Sequence, residues 1–202
     1  MEAISKQLEG ALATARALGF LGPGPIAQHL VSARRFADAF RAHRVVGATL
    51  DLGSGGGVPG LILAEWLPET RWVLLDANRR RTSFLADAVA TCGLATRVAV
   101  VRGRAEEVAH LTSHREVYAA VTARGFGSPA ATAEIAAGFV AEGGVALISD
   151  TFAERPWPAA RLALLAFRPT ESTPGLRVLR KTGPVPADFP RTAVRQRRDP
   201  LF

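Results

Sequence analysis

The chain has 202 residues, 48% of them hydrophobic, and a formal net charge of +7, which suits one domain with a small terminal extension and leaves ample material for a buried core. Its single cysteine, Cys92, excludes an internal disulfide and a thiolate metal cluster. His29, His43, His110 and His114 lack the ligand spacing of a zinc site, so no metal is expected.

Glu2, Lys6, Glu9 and Arg16 interrupt any leader-like apolar run, and no apolar stretch reaches the roughly 18 residues of a membrane span; a cytoplasmic monomer is expected. The positive balance is carried mainly by arginine. Its guanidinium fork matches phosphate bidentately, which biases association toward polyanions.

Ile4, Leu8, Leu12, Ala15 and Leu18 recur at helical spacing and predict a helix over 3–20, stopped by Gly19 and by Gly22-Pro23-Gly24-Pro25. A second helix is predicted over 26–40, with Arg34, Arg35, Arg41 and Arg44 near its end. Residues 1–46 thus read as an N-terminal helical cap, and 47–202 as the main domain with a basic tail over 180–202. Within that domain, predicted strands at 48–52, 71–75, 97–101, 117–122 and 144–149 alternate with helices over 59–66, 78–91, 104–111 and 129–140. Short apolar strands joined by helical crossovers form a doubly wound, mainly parallel α/β sheet of Rossmann-like type. Beyond Asp150 the chain is broken by Pro156, Pro158, Pro169, Pro174, Pro184, Pro186 and Pro190. A helix at 159–165 and a strand at 176–180 remain, so an antiparallel edge pair is expected to complete seven strands before an irregular tail. From Arg180 to Arg198, six basic residues, Arg180, Lys181, Arg191, Arg195, Arg197 and Arg198, stand against one acid, Asp188.

The most informative stretch is Asp51-Leu52-Gly53-Ser54-Gly55-Gly56-Gly57-Val58-Pro59-Gly60, where a strand ends and a helix begins. Glycines there admit positive φ and carry no Cβ, so a polar ligand can reach main-chain N–H groups. Pro59 suits a first helical turn. The next strand ends at Asp76, where nucleotide-binding α/β folds put a carboxylate on ribose hydroxyls. Two cofactors fit the glycines: Gly55-x-Gly57-x-x-Gly60 satisfies the dinucleotide fingerprint, and Asp51-x-Gly53-x-Gly55-x-Gly57 the S-adenosylmethionine pattern of class I methyltransferases. Three features favour the second. Asp51 can face the cationic methionine end but would repel a pyrophosphate. Gly103-Arg104-Ala105-Glu106-Glu107 puts a carboxylate and backbone donors beside an adenine pocket, and Thr122-Ala123-Arg124-Gly125-Phe126 puts a polar and an aromatic side chain at the mouth. A nicotinamide oxidoreductase is the other reading.

These residues resemble the bacterial small-subunit rRNA guanine-N7 methyltransferases, the RsmG or GidB family. The likeness is carried by the glycine loop with its proline, by Leu74-Leu75-Asp76 followed by Arg79-Arg80-Arg81 and Phe84-Leu85, and by Arg104-Ala105-Glu106-Glu107. Ala123-Arg124-Gly125-Phe126-Gly127-Ser128 and the stretch from Phe189-Pro190-Arg191 to Arg197-Arg198-Asp199-Pro200-Leu201 extend it. The resemblance implies a Rossmann-like class I methyltransferase fold and methyl transfer from S-adenosylmethionine to N7 of a guanine in 16S rRNA, with that rRNA or the small subunit as partner. It implies cofactor contacts at Gly53, Val58, Ala105, Glu106 and Arg124; the physical argument adds Asp51, Gly55 and Asp76. Phe126 is a candidate for stacking on a base, and Arg191, Arg195, Arg197 and Arg198 for RNA phosphates. No catalytic side chain is singled out, because N7 attacks through a lone pair that carries no proton. Two departures leave room for another RNA or a small molecule as substrate, or for a silent cofactor-binding protein that contacts RNA. The family's longer N-terminal region survives only as Gln28-His29-Leu30, and Ser149-Asp150 replaces its lysine-glycine.

Overall fold

The computed structural model describes residues 3–22, 24–150, 157–170 and 173–202. The interruptions expected at Glu2, Pro23 and Pro156 lie outside these residues.

Two helices, α1 (Lys6–Ala17) and α2 (Ile26–Ala42), precede the sheet. Ser5 caps α1 by accepting the Leu8 N–H, and is itself held by Glu65, whose carboxylate accepts the Ser5 amide and hydroxyl, each at 2.6 Å. Gly10, exposed in the middle of α1, has open space around any added Cβ. Gly10→Ala is therefore expected to raise stability by about 0.5–1 kcal/mol in urea unfolding, and a loss would contradict the helix.

There follow β1 (Gly47–Leu52), α3 (Gly60–Trp66), β2 (Thr70–Asp76), α4 (Arg79–Thr91), β3 (Val98–Arg102), α5 (Ala105–Val108), β4 (Tyr118–Ala123), α6 (Pro129–Ala137) and β5 (Val140–Ser149). Asn78 caps α4, and Ser128 with Pro129 opens α6, so sequence starts and observed starts coincide there. The chain closes with α7 (Ala159–Ala163), β6 (Phe167–Pro169), β7 (Leu176–Lys181) and α8 (Ala193–Arg198). The seven-stranded sheet has the order β3-β2-β1-β4-β5-β7-β6; β1 to β5 are parallel and the last two strands antiparallel.

Each face of the sheet carries its own apolar layer. Leu8, Leu12, Phe36, Phe40, Leu61 and Leu85 from α1 to α4 pack on one side, with Trp72 stacked on Phe40 at 5.5 Å. The predicted cap therefore shares its core with the sheet. On the other side α5 to α7 contribute Val108, Ile135 and Leu162, joined by Phe139, Trp157 and Phe167.

Beyond shifts of a few residues at other ends, such as α1 at Lys6–Ala17 against 3–20, three differences from the sequence reading matter to the fold. The helix predicted over 104–111 is a single turn, and α6 stops at Ala137, which frees residues from 140 onward to lengthen β5. Gly143 at φ +78 and Gly144, whose added Cβ would strike the Ala119 carbonyl at 2.7 Å, accommodate the register shift between Tyr118 and Ala120. The third is the tail, which contains a helix. Thr192 caps α8 by accepting the Arg195 N–H, and buried Gln196 donates to the Arg191 carbonyl at 2.9 Å. Arg195, Arg197 and Arg198 occupy its last turn, where cations complement the helix dipole.

Candidate functional site: a two-part crevice at the carboxyl ends of the strands

The sheet order reverses between β1 and β4, and ligands of open α/β sheets sit at the carboxyl ends of strands beside such a point. The glycine loop lies there. Its residues are packed on the protein side: an added Cβ would strike Leu61 at Gly57, Leu21 at Gly56, and both Asp51 and Leu74 at Gly60, while Gly53 and Gly55 alone keep partial exposure. The loop is tied down by the Gly53 and Ser54 N–H groups, which donate to the Leu75 carbonyl at 2.9 and 3.0 Å, and by Gly55 N–H, which donates to Asp76 Oδ2 at 3.0 Å.

Two adjoining cavities open at these strand ends. The smaller, about 180 Å³, is lined by Gly53 after β1, Leu75 and Ala77 around the end of β2, Gly103 to Glu106 after β3, and Phe126. The larger, about 380 Å³, lies at the ends of β4 and β5 and includes Arg124, Phe126, Thr132, Ser149, Asp150 and Trp157. Phe126 lines both and stands at their junction.

Of the residues expected at a cofactor site, Gly53, Ala105 and Glu106 line the small cavity and Arg124 the large one. Asp76 sits at the end of β2 with its carboxylate accepting from Gly55 and from Asn78 N–H at 2.8 Å, so it also fastens the loop to β2. Val58 turns its side chain into the core of the α1–α4 face. Asp51 lies beneath the loop and lines neither cavity: it is 1% exposed, Oδ1 accepts the Thr122 hydroxyl at 2.7 Å, and Oδ2 has no partner of good geometry beside the Gly60 amide.

Burial pushes Asp51 up from the usual 3.8 to about 6, opposed by Thr122, Ser54, Gly60 and the Arg124 charge. A folded-state value above the unfolded one means that the Asp51 contribution to stability is fully present below pH 3.8 and is lost as pH rises through about 6. Asp51→Asn is accordingly expected to gain roughly 3 kcal/mol at pH 7 and little near pH 4. Urea unfolding at the two pH values checks this; an equal gain at both would contradict it.

Arg124 is partly buried, and that burial lowers its pKa while Asp51 opposes the shift. Both of its terminal nitrogens donate to His29 Nδ1 at 3.1 Å. His29 on α2 went unrecognised as a site residue in the sequence, where only a faint echo of a family segment pointed to it.

The candidate RNA contacts divide. Phe126 is half-buried at the cavity junction. Arg195, Arg197 and Arg198 are exposed on α8. Arg191 instead serves the fold: it is 6% exposed and its Nε and Nη2 donate to the two Glu134 oxygens at 3.0 and 2.7 Å, so it fastens the tail to α6. The acid at Asp150 is not a bare charge at the mouth either, since Oδ2 accepts from Trp157 Nε1 at 2.8 Å and from Arg177 at 3.4 Å.

A seven-stranded sheet in this order, with a tied-down glycine loop and a crevice running from β2 to β5, defines the class I methyltransferase fold. A putative O-methyltransferase of known structure from Klebsiella pneumoniae superposes with a TM-score of 0.65 over 91% of this chain and 93% of its own, at 12% identity. Residues 25–152 match the model of the family described as rRNA small subunit methyltransferase G, and the chain belongs to that family. The ribosomal RNA small subunit methyltransferase G of Thermotoga neapolitana is 37% identical over 158 residues, which cover 72% of this chain and 67% of the relative. That of Salinispora tropica is 55% identical over 60 residues, 30% of this chain and 25% of the relative. The chain spans about a quarter to a half of the length of several curated relatives.

The cofactor implied by fold and family is S-adenosylmethionine. The crevice fits it. The small cavity is walled by Leu75, Ala77 and Ala105 with one carboxylate, Glu106, which suits a flat heteroaromatic ring with an amino group. A Cβ at Gly53 would strike the Phe126 ring at 2.5 Å, so the loop keeps its closest approach only with glycine there.

Proposed function

We propose that this chain transfers a methyl group from S-adenosylmethionine to N7 of a guanine in 16S rRNA, acting in the cytoplasm as a monomer on the small ribosomal subunit or its rRNA. The observation that carries the reading is the crevice itself: a ring-sized cavity at the ends of β1 to β3 adjoins, across Phe126, a larger one at the ends of β4 and β5. S-adenosylmethionine, when bound, supplies an electrophilic methyl group on a sulfonium.

The rest falls to the chain. Gly53, Gly55, Asp76, Ala105 and Glu106 hold the adenosine end, Val58 supports the loop from the core side, and Arg124 with the buried Asp51 charge sets the field around the methionine end. Guanine N7 attacks through a free lone pair, so no side chain has to remove a proton. Alignment and exclusion of water suffice, and such positioning can contribute roughly 7–11 kcal/mol of barrier lowering. Phe126 supplies a face on which an unstacked base can lie. Arg195, Arg197 and Arg198 offer phosphate contacts on α8. That helix lies near the larger cavity, because Phe202 just beyond it packs on Trp157 at 5.6 Å.

The pairing of Asp150 with Trp157 and Arg177 supports RNA as substrate, since that acid reaches the mouth already compensated. Labelled S-adenosylmethionine incubated with small subunits from cells lacking their own N7 methyltransferase tests the reading. Label at a guanine N7 is the expected result. Label confined to small molecules or to another RNA would overturn it.

A further inference from the structure

His29 is a histidine with an unusual set of neighbours. It is 6% exposed, and its Nδ1 lies 3.1 Å from both terminal nitrogens of Arg124. A guanidinium can only donate, so Nδ1 must accept and the imidazole proton must sit on Nε2. That Nε2 is buried without a partner of good geometry; the Gly22 carbonyl lies near it. The arrangement leaves a donor poorly satisfied in order to keep an acceptor aimed at Arg124. Ser32 and Arg35, three and six residues further along α2, line the same large cavity as Arg124, so one face of α2 follows the crevice.

We propose that His29 is a positioning residue of the methyl-transfer site: its Nδ1 lone pair fixes the Arg124 guanidinium at the mouth of the crevice, making α2 part of the site. Resting on the function proposed above, this adds a residue held on the cap rather than on the sheet. Arg124 follows the end of β4, next to Gly125 at φ +62, and its two terminal nitrogens share the His29 acceptor. One acceptor shared by two donors of a guanidinium fork points that fork at the acceptor and so fixes its direction.

Only neutral imidazole can do this. The charges facing His29 are Arg124 from β4 and Arg16 from α1, both cationic, with Asp51 of β1 acting through Arg124. Burial, then Arg124, push His29 below its ordinary 6.5, which keeps the acceptor available at neutral pH. Because the folded value is below the unfolded one, acidification through 6.5 favours the protonated, unfolded form and weakens the contact.

The test is calorimetric titration of S-adenosylmethionine between pH 5 and 8 into the full chain and two variants, with the His29 tautomer of the wild type read by nitrogen-15 NMR. His29→Ala is expected to bind about tenfold or more weakly, the effect of losing an acceptor on a charged donor. His29→Gln, whose amide oxygen can accept from Arg124, is expected to recover most of that loss. Its binding should decline less steeply toward acid than wild type, since only the Asp51 titration remains. The wild-type imidazole should carry its proton on Nε2. Wild-type affinity in His29→Ala, no recovery in His29→Gln, or a proton on Nδ1 would each overturn the proposal while leaving the proposed activity intact. A wild-type chain that binds no S-adenosylmethionine at any pH would overturn both.

Discussion

Gly53→Asp abolishes cofactor binding: calorimetry with S-adenosylmethionine is expected to show an affinity at least about 100-fold below wild type, a loss near 2.7 kcal/mol. Three effects add at this position. The backbone holds φ +70, where a residue with a Cβ is strained by roughly 1–2 kcal/mol. The new Cβ would stand 2.5 Å from Phe126 Cδ2, so the ring that lines both cavities would have to shift. Finally, the carboxylate would enter a space of about 180 Å³ that already holds Glu106. Gly93→Ala provides the control, because Gly93 has φ +67 after α4 and nothing within 4 Å of an added Cβ. It should lose stability and retain affinity. Retained affinity in Gly53→Asp would mean that the loop does not hold the cofactor.

The glycine loop was legible in the sequence because its chemistry is local. A strand end, a cluster of glycines and a helix start lie within ten consecutive residues, Asp51 to Gly60, and backbone rules act on neighbours. The alternation of strands and helices was legible for the same reason, since apolar spacing and the breaks at glycine and proline act over a few residues. What could not be read is pairing across the fold. His29 meets Arg124 over 95 residues of chain, and Glu134 meets Arg191 over 57. A tail rich in arginine looks uniformly like a phosphate-binding surface until the fold assigns Arg191 to a buried carboxylate and leaves Arg195, Arg197 and Arg198 outside. Asp51 illustrates the opposite limit. Its place in the motif was legible, but burial, not adjacency, decides that its carboxylate faces Gly60 and Thr122 under the loop. Glu134 itself carries no sequence signal, lying in Ala-Ala-Thr-Ala-Glu-Ile-Ala-Ala, a stretch that reads as plain buried helix.

Removing that carboxylate should separate the tail from the fold. Glu134 is 1% exposed and accepts the Arg191 backbone N–H at 2.7 Å, Arg191 Nε at 3.0 Å and Nη2 at 2.7 Å, with the Gln196 amide at 3.4 Å. Glu134→Ala strands a buried guanidinium whose remaining carboxylate partner, Asp199 at 3.4 Å, is largely in solvent. Loss of one partner from a buried pair costs about 3–5 kcal/mol, and urea unfolding is expected to show a loss of that size. Because these bonds hold the start of α8, the arginines at 195, 197 and 198 should lose their fixed position. On the proposed function, affinity for small-subunit RNA then falls and becomes less salt-dependent, while S-adenosylmethionine affinity, assigned there to groups at the ends of β1 to β4, is retained. A paired replacement, Glu134→Leu with Arg191→Met, removes both charges and should recover part of the stability and of the RNA affinity, the backbone N–H of residue 191 still lacking its acceptor. Recovery requires that Arg191 act through Glu134. If the paired variant regained stability but not RNA binding, Arg191 would itself touch phosphate, and a loss below about 1 kcal/mol in Glu134→Ala would show that the tail is held by its apolar contacts instead.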